Sequence, residues 1–204
     1  MEKLKVLVSS IGAGILIALG GYVYLMLKNT NPYLAAFLFS VGLITIIGFK
    51  MHLFTGKVGY IFDNKPSFLF DLLIIWFGNF IGAVSTGYLL RLSRSNLNNA
   101  ISTSSENNLL SVFILSLFCG MMIYIAVEMQ KKDVSPAVKL ISIILPIMVF
   151  ILSGFQHCVA NMFYLAFNHN WSFISIISLI VMSIGNGVGS LILYWINRFI
   201  GMDK

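Results

Sequence analysis

Two polar interruptions of apolar stretches hold the side chains best placed to do chemistry: Gln156-His157-Cys158 and Lys50-Met51-His52. A histidine with an unperturbed pKa of about 6.5 exchanges protons with weak acids near neutrality. A charged side chain at a helix centre costs about 2.5–3.5 kcal/mol on insertion scales, and an ionisable residue in an apolar segment marks a functional site by default. His157 is therefore the foremost candidate; its alternative is a packing histidine. Lys50 places a cation at the other interruption, where it either faces the break or extends its stem toward an interface. Metal binding has little support. His157 and Cys158 are adjacent, so their side chains diverge on a helix, and Cys119 adds too little for a four-ligand zinc site. Gly12-x-Gly14 lacks the third glycine of a dinucleotide fingerprint. No carboxylate pair or nucleophile–base set lies in the apolar runs. The expectation is a protein without metal, cofactor or enzymatic activity.

The elements that carry these residues are unusual in composition. Of 204 residues, 58% are hydrophobic and only 10% charged, with a mean hydropathy of +0.92. Soluble domains carry about 25% charged residues and about 45–50% apolar ones. The net charge of +6 does not point to nucleic acid, because the basic residues lie between apolar runs rather than on one face. The pattern excludes a soluble globule and a disordered chain. It is that of an integral membrane protein.

A bilayer core of about 30 Å needs about 20 apolar residues in a helix. Residues 6–27, 68–90, 109–127 and 171–196 satisfy this directly. The first follows a charged start without an A-x-A-like cleavage site, so it is expected to be a retained span. Two further segments are interrupted. Residues 33–49 end at Lys50-Met51-His52 and resume over 53–56 and 58–62; residues 140–155 end at Gln156-His157 and resume over 158–167. Unwound turns at membrane depth are tolerated where they line a cavity.

Gly14 and Gly120 lie 106 residues apart, as do Gly48-Phe49 and Gly154-Phe155. Gly78-Asn79-x-x-Gly82 precedes Gly185-Asn186-x-x-Gly189 by 107. The pattern predicts one transmembrane domain over 1–204, with repeats at about 1–92 and about 109–200. Each repeat holds three spans, so the second must enter the bilayer inverted. The predicted fold is all-α, with six transmembrane helices, the second and fifth broken. Lysine and arginine bias sets the orientation. One side carries Lys3, Lys5, Lys57, Lys65, Lys131, Lys132, Lys139, Arg198 and Lys204; the other carries Lys28, Arg91 and Arg94. Both termini are expected in the cytoplasm.

Leu53-Phe54-Thr55-Gly56, Gly78-Asn79-Phe80-Ile81-Gly82-Ala83 and Gly154-Phe155-Gln156-His157-Cys158-Val159-Ala160-Asn161-Met162 resemble motifs of the formate/nitrite transporter family. The order and spacing agree over essentially the whole chain. The resemblance implies an aquaporin-like fold and a homopentamer in the cell membrane, with one pore per protomer. It implies passage of small monovalent anions of weak acids, such as formate, nitrite, hydrosulfide, acetate or lactate. By the same resemblance Thr55 matches the loop threonine and His157 the central histidine. Leu43, Leu53, Phe54 and Ala160 match a cytoplasmic slit, and Phe39, Ile123 and Phe150 an outer constriction. His52 and Gln156 stand where the family usually has acidic residues, Gly120 where it has asparagine, and Ser104 where a vestibule lysine is common.

The mechanism expected from these residues starts with basic vestibules, formed by Lys50 and the cytoplasmic lysines, that concentrate the anion. A bare charge in an apolar slit meets a desolvation cost, so protonation assisted by His157, or by water it orders, would let a neutral acid cross. A charged His157 could instead stabilise the anion directly. Thr55 donates a hydrogen bond in both versions. The implied partners are a small anion, protons, the bilayer and identical subunits, with no nucleic acid. The alternative is an aquaporin-like pore for small neutral solutes. Its paired Asn-Pro-Ala signature is absent, and Asn31-Pro32-Tyr33 occurs once, before a span.

Overall fold

The computed structural model describes residues 2–93 and 108–201. Arg94, Ser104 and Lys204 lie outside them. The described residues form helices and turns, with no strand. In chain order the helices are α1 (Glu2–Leu27), α2 (Pro32–Gly48), α3 (Phe54–Lys57), α4 (Phe68–Ser93), α5 (Leu109–Glu128), α6 (Pro136–Leu152), α7 (Cys158–Asn168) and α8 (Phe173–Phe199). Short 3₁₀ turns, Val58–Asp63 and Met129–Lys131, follow α3 and α5. Four helices, α1, α4, α5 and α8, are long and apolar enough to cross a membrane, the same four that satisfy the length criterion in the sequence.

Local chemistry sets the shorter helices. Asn31 caps α2 by accepting from Leu34 N–H, and Ser135 caps α6 by accepting from Val138 N–H. A proline follows each cap, at the helical position where a missing N–H costs nothing. The two helices also end alike. Lys50 N–H bonds Ile47 O and Met51 N–H bonds Ile46 O; Gly154 N–H bonds Ile151 O and Phe155 N–H bonds Phe150 O. Lys50 (φ 54°) and Gly154 (φ 69°) both take the left-handed conformation that closes such ends. The residue equivalent to Gly154 is thus Lys50, not Gly48. Gly48 is the last residue of α2 and has open space around it. The 106-residue register read from the glycines therefore does not hold at the breaks.

The second half of each interrupted segment differs from its counterpart. After the first break α3 has four residues before the chain tightens into a 3₁₀ turn, with Tyr60 off helical geometry. After the second break α7 runs eleven residues. It stops where His169 (φ 53°) turns left-handed, making the tight turn over 168–170.

Helix α1 packs on α4, and α5 on α8. A Cβ on Gly14 would overlap Asn79 O, and one on Gly82 would overlap Ile11 O. The same arrangement recurs with Gly120 against Asn186 O and Gly189 against Leu117 O. Small residues at such crossings let backbones approach, the principal packing device where lipid removes the hydrophobic drive. Gly120 therefore has no room for the side chain usual in the family at this α5–α8 distance. The buried core lies between these two helix pairs and holds Phe39, Leu43, Ile123, Phe150 and Phe163.

Candidate functional site

The two breaks are pinned by one asparagine each. Asn79 Oδ1 accepts from Phe54 N–H (2.8 Å), and its Nδ2 donates to Ser10 O (2.8 Å) and His52 O (2.9 Å). Asn186 Oδ1 accepts from Cys158 N–H (3.0 Å), and its Nδ2 donates to Ser116 O (2.7 Å) and Gln156 O (2.9 Å). Each asparagine, fully buried, satisfies backbone groups of the non-helical turn beside it and ties that turn to the adjoining helix pair. An alanine at either position strands several buried polar groups, each costing about 1–3 kcal/mol. Asn79→Ala and Asn186→Ala are expected to lose similar stability, about 2 kcal/mol or more, as measured by thermal unfolding in detergent. Unequal losses would show that the two pins do not do the same work.

Leu53 and His157 occupy matching positions, the extended residues that cap α3 and α7. His157 Nδ1 accepts from Ala160 N–H at 3.1 Å. An N–H can meet only an unprotonated ring nitrogen, so the neutral ring carries its proton on Nε2. Nε2 lies 2.9 Å from Thr55 Oγ1 and so donates to it. The threonine hydroxyl hydrogen is then left to point elsewhere. A second proton, on Nδ1, would occupy the lone pair that caps α7. Both side chains are closed to solvent, His157 2% and Thr55 1% exposed.

Around this pair the structure gathers most of the residues singled out in the sequence. The Phe150 ring stacks on the His157 ring at 5.9 Å, and Phe39 meets Phe150 edge-on at 5.8 Å. Leu43, Leu53, Ile123 and Ala160 are buried in the same core. Phe54 is half-buried and lines a lateral apolar groove between α4 and α8, beside Trp76 and Val188. Lys50 stands outside the core, in a cavity of about 290 Å³ walled by Leu43, Leu53, Lys57, Gln130 and Lys131. We refer to this cavity as the vestibule. Its described lining includes three lysines and no carboxylate.

The two departures beside the breaks are engaged locally. His52 N–H donates to Ser9 Oγ (3.1 Å), which also meets its Nδ1 (2.9 Å). Gln156 Oε1 accepts from Asn161 Nδ2, and its own Nε2 donates to Gly154 O. Of the cytoplasmic lysines expected as a group in the vestibules, the structure places Lys57 and Lys131 in this lining. Sequence reasoning missed Glu128 and Tyr60 altogether, because no local spacing links residues 68 apart.

Comparison with known proteins gives the family and the fold. The sequence pattern of the family described as formate/nitrite transporter matches residues 1–199. Among curated relatives, the formate channel FocB of Escherichia coli (strain K12) is 25% identical over 189 residues, covering 81% of this chain and 67% of the relative. The chain thus spans about two thirds of that relative's length. A solved structure described as an FNT family ion channel superposes with a TM-score of 0.85 at 21% identity, covering 97% of this chain and 90% of the other. Another, a pentameric formate channel with formate bound, gives 0.78 at 22% identity, covering 100% and 98%. At these identities the structural likeness is one of fold.

Proposed function

Because the chain belongs to the formate/nitrite transporter family, we propose that it is a membrane channel for small monovalent anions of weak acids, with formate, nitrite and hydrosulfide as first candidates. The observation that carries this reading is the Thr55–His157 pair, buried beneath a vestibule with three lysines and no carboxylate in its described lining. In this reading the chain is one transmembrane domain of six helices in two inverted repeats, about 1–92 and about 109–200. The second and fifth helices are broken at Lys50-Met51-His52 and Gln156-His157. The protein assembles as a homopentamer in the cytoplasmic membrane with both termini inside. One structural neighbour is a pentameric channel with formate bound, which supports the assembly and the substrate class.

The mechanism follows from charge and burial. Lys50, Lys57 and Lys131 raise the local anion concentration. An anion leaving water for the apolar passage has its pKa raised by desolvation. It takes a proton from bulk water and moves as the neutral acid past Leu43 and Leu53. At the centre Thr55 offers its free hydroxyl hydrogen, oriented because its oxygen already accepts from His157. The acid then passes Phe150, Phe39 and Ile123, and Ala160 completes the wall. His157 acts as a neutral donor that sets the direction of the threonine hydroxyl, and no proton leaves the ring.

Flux into liposomes tests this. Formate, nitrite, hydrosulfide, acetate and lactate are compared with glycerol at acid and neutral pH. Anion uptake that rises with the undissociated acid supports the reading. Passage of glycerol without the anions would replace it with a neutral-solute pore. Lys50→Gly gives a second check. It relieves a left-handed side chain and should stabilise by about 1 kcal/mol. It also removes one vestibule charge, so uptake at low salt should fall about twofold. Thermal unfolding and a salt series read the two effects separately.

A further inference from the structure

The vestibule shares one described residue with a second cavity. Lys131 lines both the vestibule and a polar cavity of about 460 Å³. The second cavity lies where the 3₁₀ turn Val58–Asp63 meets the ends of α5 and α8, and its lining includes Tyr60, Glu128, Tyr194 and Arg198. Lys131 is held from that side. Its Nζ lies 2.9 Å from Glu128 Oε2 and 3.3 Å from the centre of the Tyr60 ring. The same Oε2 accepts from the Tyr60 hydroxyl at 2.7 Å, and Tyr60 stacks on Tyr124 at 5.7 Å. Glu128 Oε1 faces Lys132 Nζ at 3.7 Å and Asn197 Nδ2 at 3.5 Å. The carboxylate is thus fixed by groups from the turn Val58–Asp63, from the turn that follows α5 and from α8. Its side chain is 14% exposed against 51% for Lys131.

We propose that Glu128, fixed by Tyr60, sets the charge that the vestibule presents to an entering anion by holding Lys131 against the neighbouring cavity. This rests on the anion-channel reading and adds to it a residue outside the passage that governs capture. The carboxylate acts in two ways. Its charge offsets that of the lysine, and the short ion pair with the ring contact keeps the ammonium from swinging toward Lys57 and Lys50. A half-buried charge is screened less than an exposed one, so the offset reaches the vestibule at low ionic strength. Glu128 touches no permeating atom; it is a positioning residue.

The test uses the full chain in liposomes, with formate well below saturation and uptake read over a salt series. Glu128→Gln keeps the shape and removes the charge. It is expected to raise uptake about two- to fourfold near 10 mM salt. The gain should fade toward 1 M, where the Debye length is about 3 Å. Adding Lys131→Met to Glu128→Gln should abolish the gain, which a general loosening of the fold would not do. Should Glu128→Gln fail to assemble, Tyr60→Phe takes its place. It frees the carboxylate from its hydroxyl donor and should give a smaller gain with the same salt dependence. Equal uptake by wild type and variant at low salt overturns the proposal and leaves the channel reading standing. A gain that persists at high salt, or without Lys131, also overturns it. Wild-type protein that passes no formate or other anion overturns the channel reading and this inference with it.

Discussion

Thr55→Val should cut anion flux by about 5- to 150-fold, the range set by leaving the crossing neutral acid without its donor in a site closed to solvent, at about 1–3 kcal/mol. Valine has nearly the shape of threonine, so passage width is preserved and only the hydroxyl goes. The same change leaves His157 Nε2–H without its acceptor in a site closed to solvent. Stability should therefore fall by about 1–3 kcal/mol. His157→Asn separates the two roles. Asparagine is a good helix cap and can still accept from Ala160 N–H, so α7 should hold. Thr55 would lose the partner that orients it, so flux should fall in the same range while thermal stability changes little. Stopped-flow uptake beside thermal unfolding reads both. Wild-type flux from Thr55→Val would remove the hydroxyl from the mechanism.

The largest expected effect on stability comes from Gly189→Ala. A Cβ there overlaps the carbonyl of Leu117, with the carbon and Cα of the same residue close behind. The obstruction is backbone, so no rotamer change relieves it and α5 must separate from α8. Overpacking of well-packed cores costs about 1–3 kcal/mol, and this crossing should reach or exceed the upper end. Separation would also draw on the bonds that Asn186 makes to Ser116 O and Cys158 N–H. Gly82→Ala should act alike through Ile11 at the α1–α4 crossing. Gly48→Ala is the control. Nothing lies within 4 Å of a Cβ there, so the substitution should be neutral or stabilise by a few tenths of a kcal/mol. Detergent unfolding of the three variants checks the order. A Gly189→Ala protein as stable as wild type would mean that the crossing is looser than described.

The apolar runs, the paired Gly-Asn-x-x-Gly motifs and the two polar interruptions were legible in the sequence because each is a local pattern. Twenty apolar residues name a helix that can cross lipid, and the four such helices are in place. The motifs around Thr55 and His157 were enough to recognise the family. Three things needed the tertiary structure. The register at the breaks was one, because equivalence there is set by which residue turns left-handed, and Lys50 does so in a position that glycine fills in the other half. The tautomer of His157 was another; it depends on Ala160 N–H meeting Nδ1, a contact made only once α7 is capped. The partners of Lys131 were the third. Glu128 is one helical turn away and could have been guessed, but Tyr60, 68 residues before Glu128, arrives only when the 3₁₀ turn folds against α5 and α8. Local periodicity reports which face of a helix avoids water. Which charges face one another across a cavity is decided by how the helices cross.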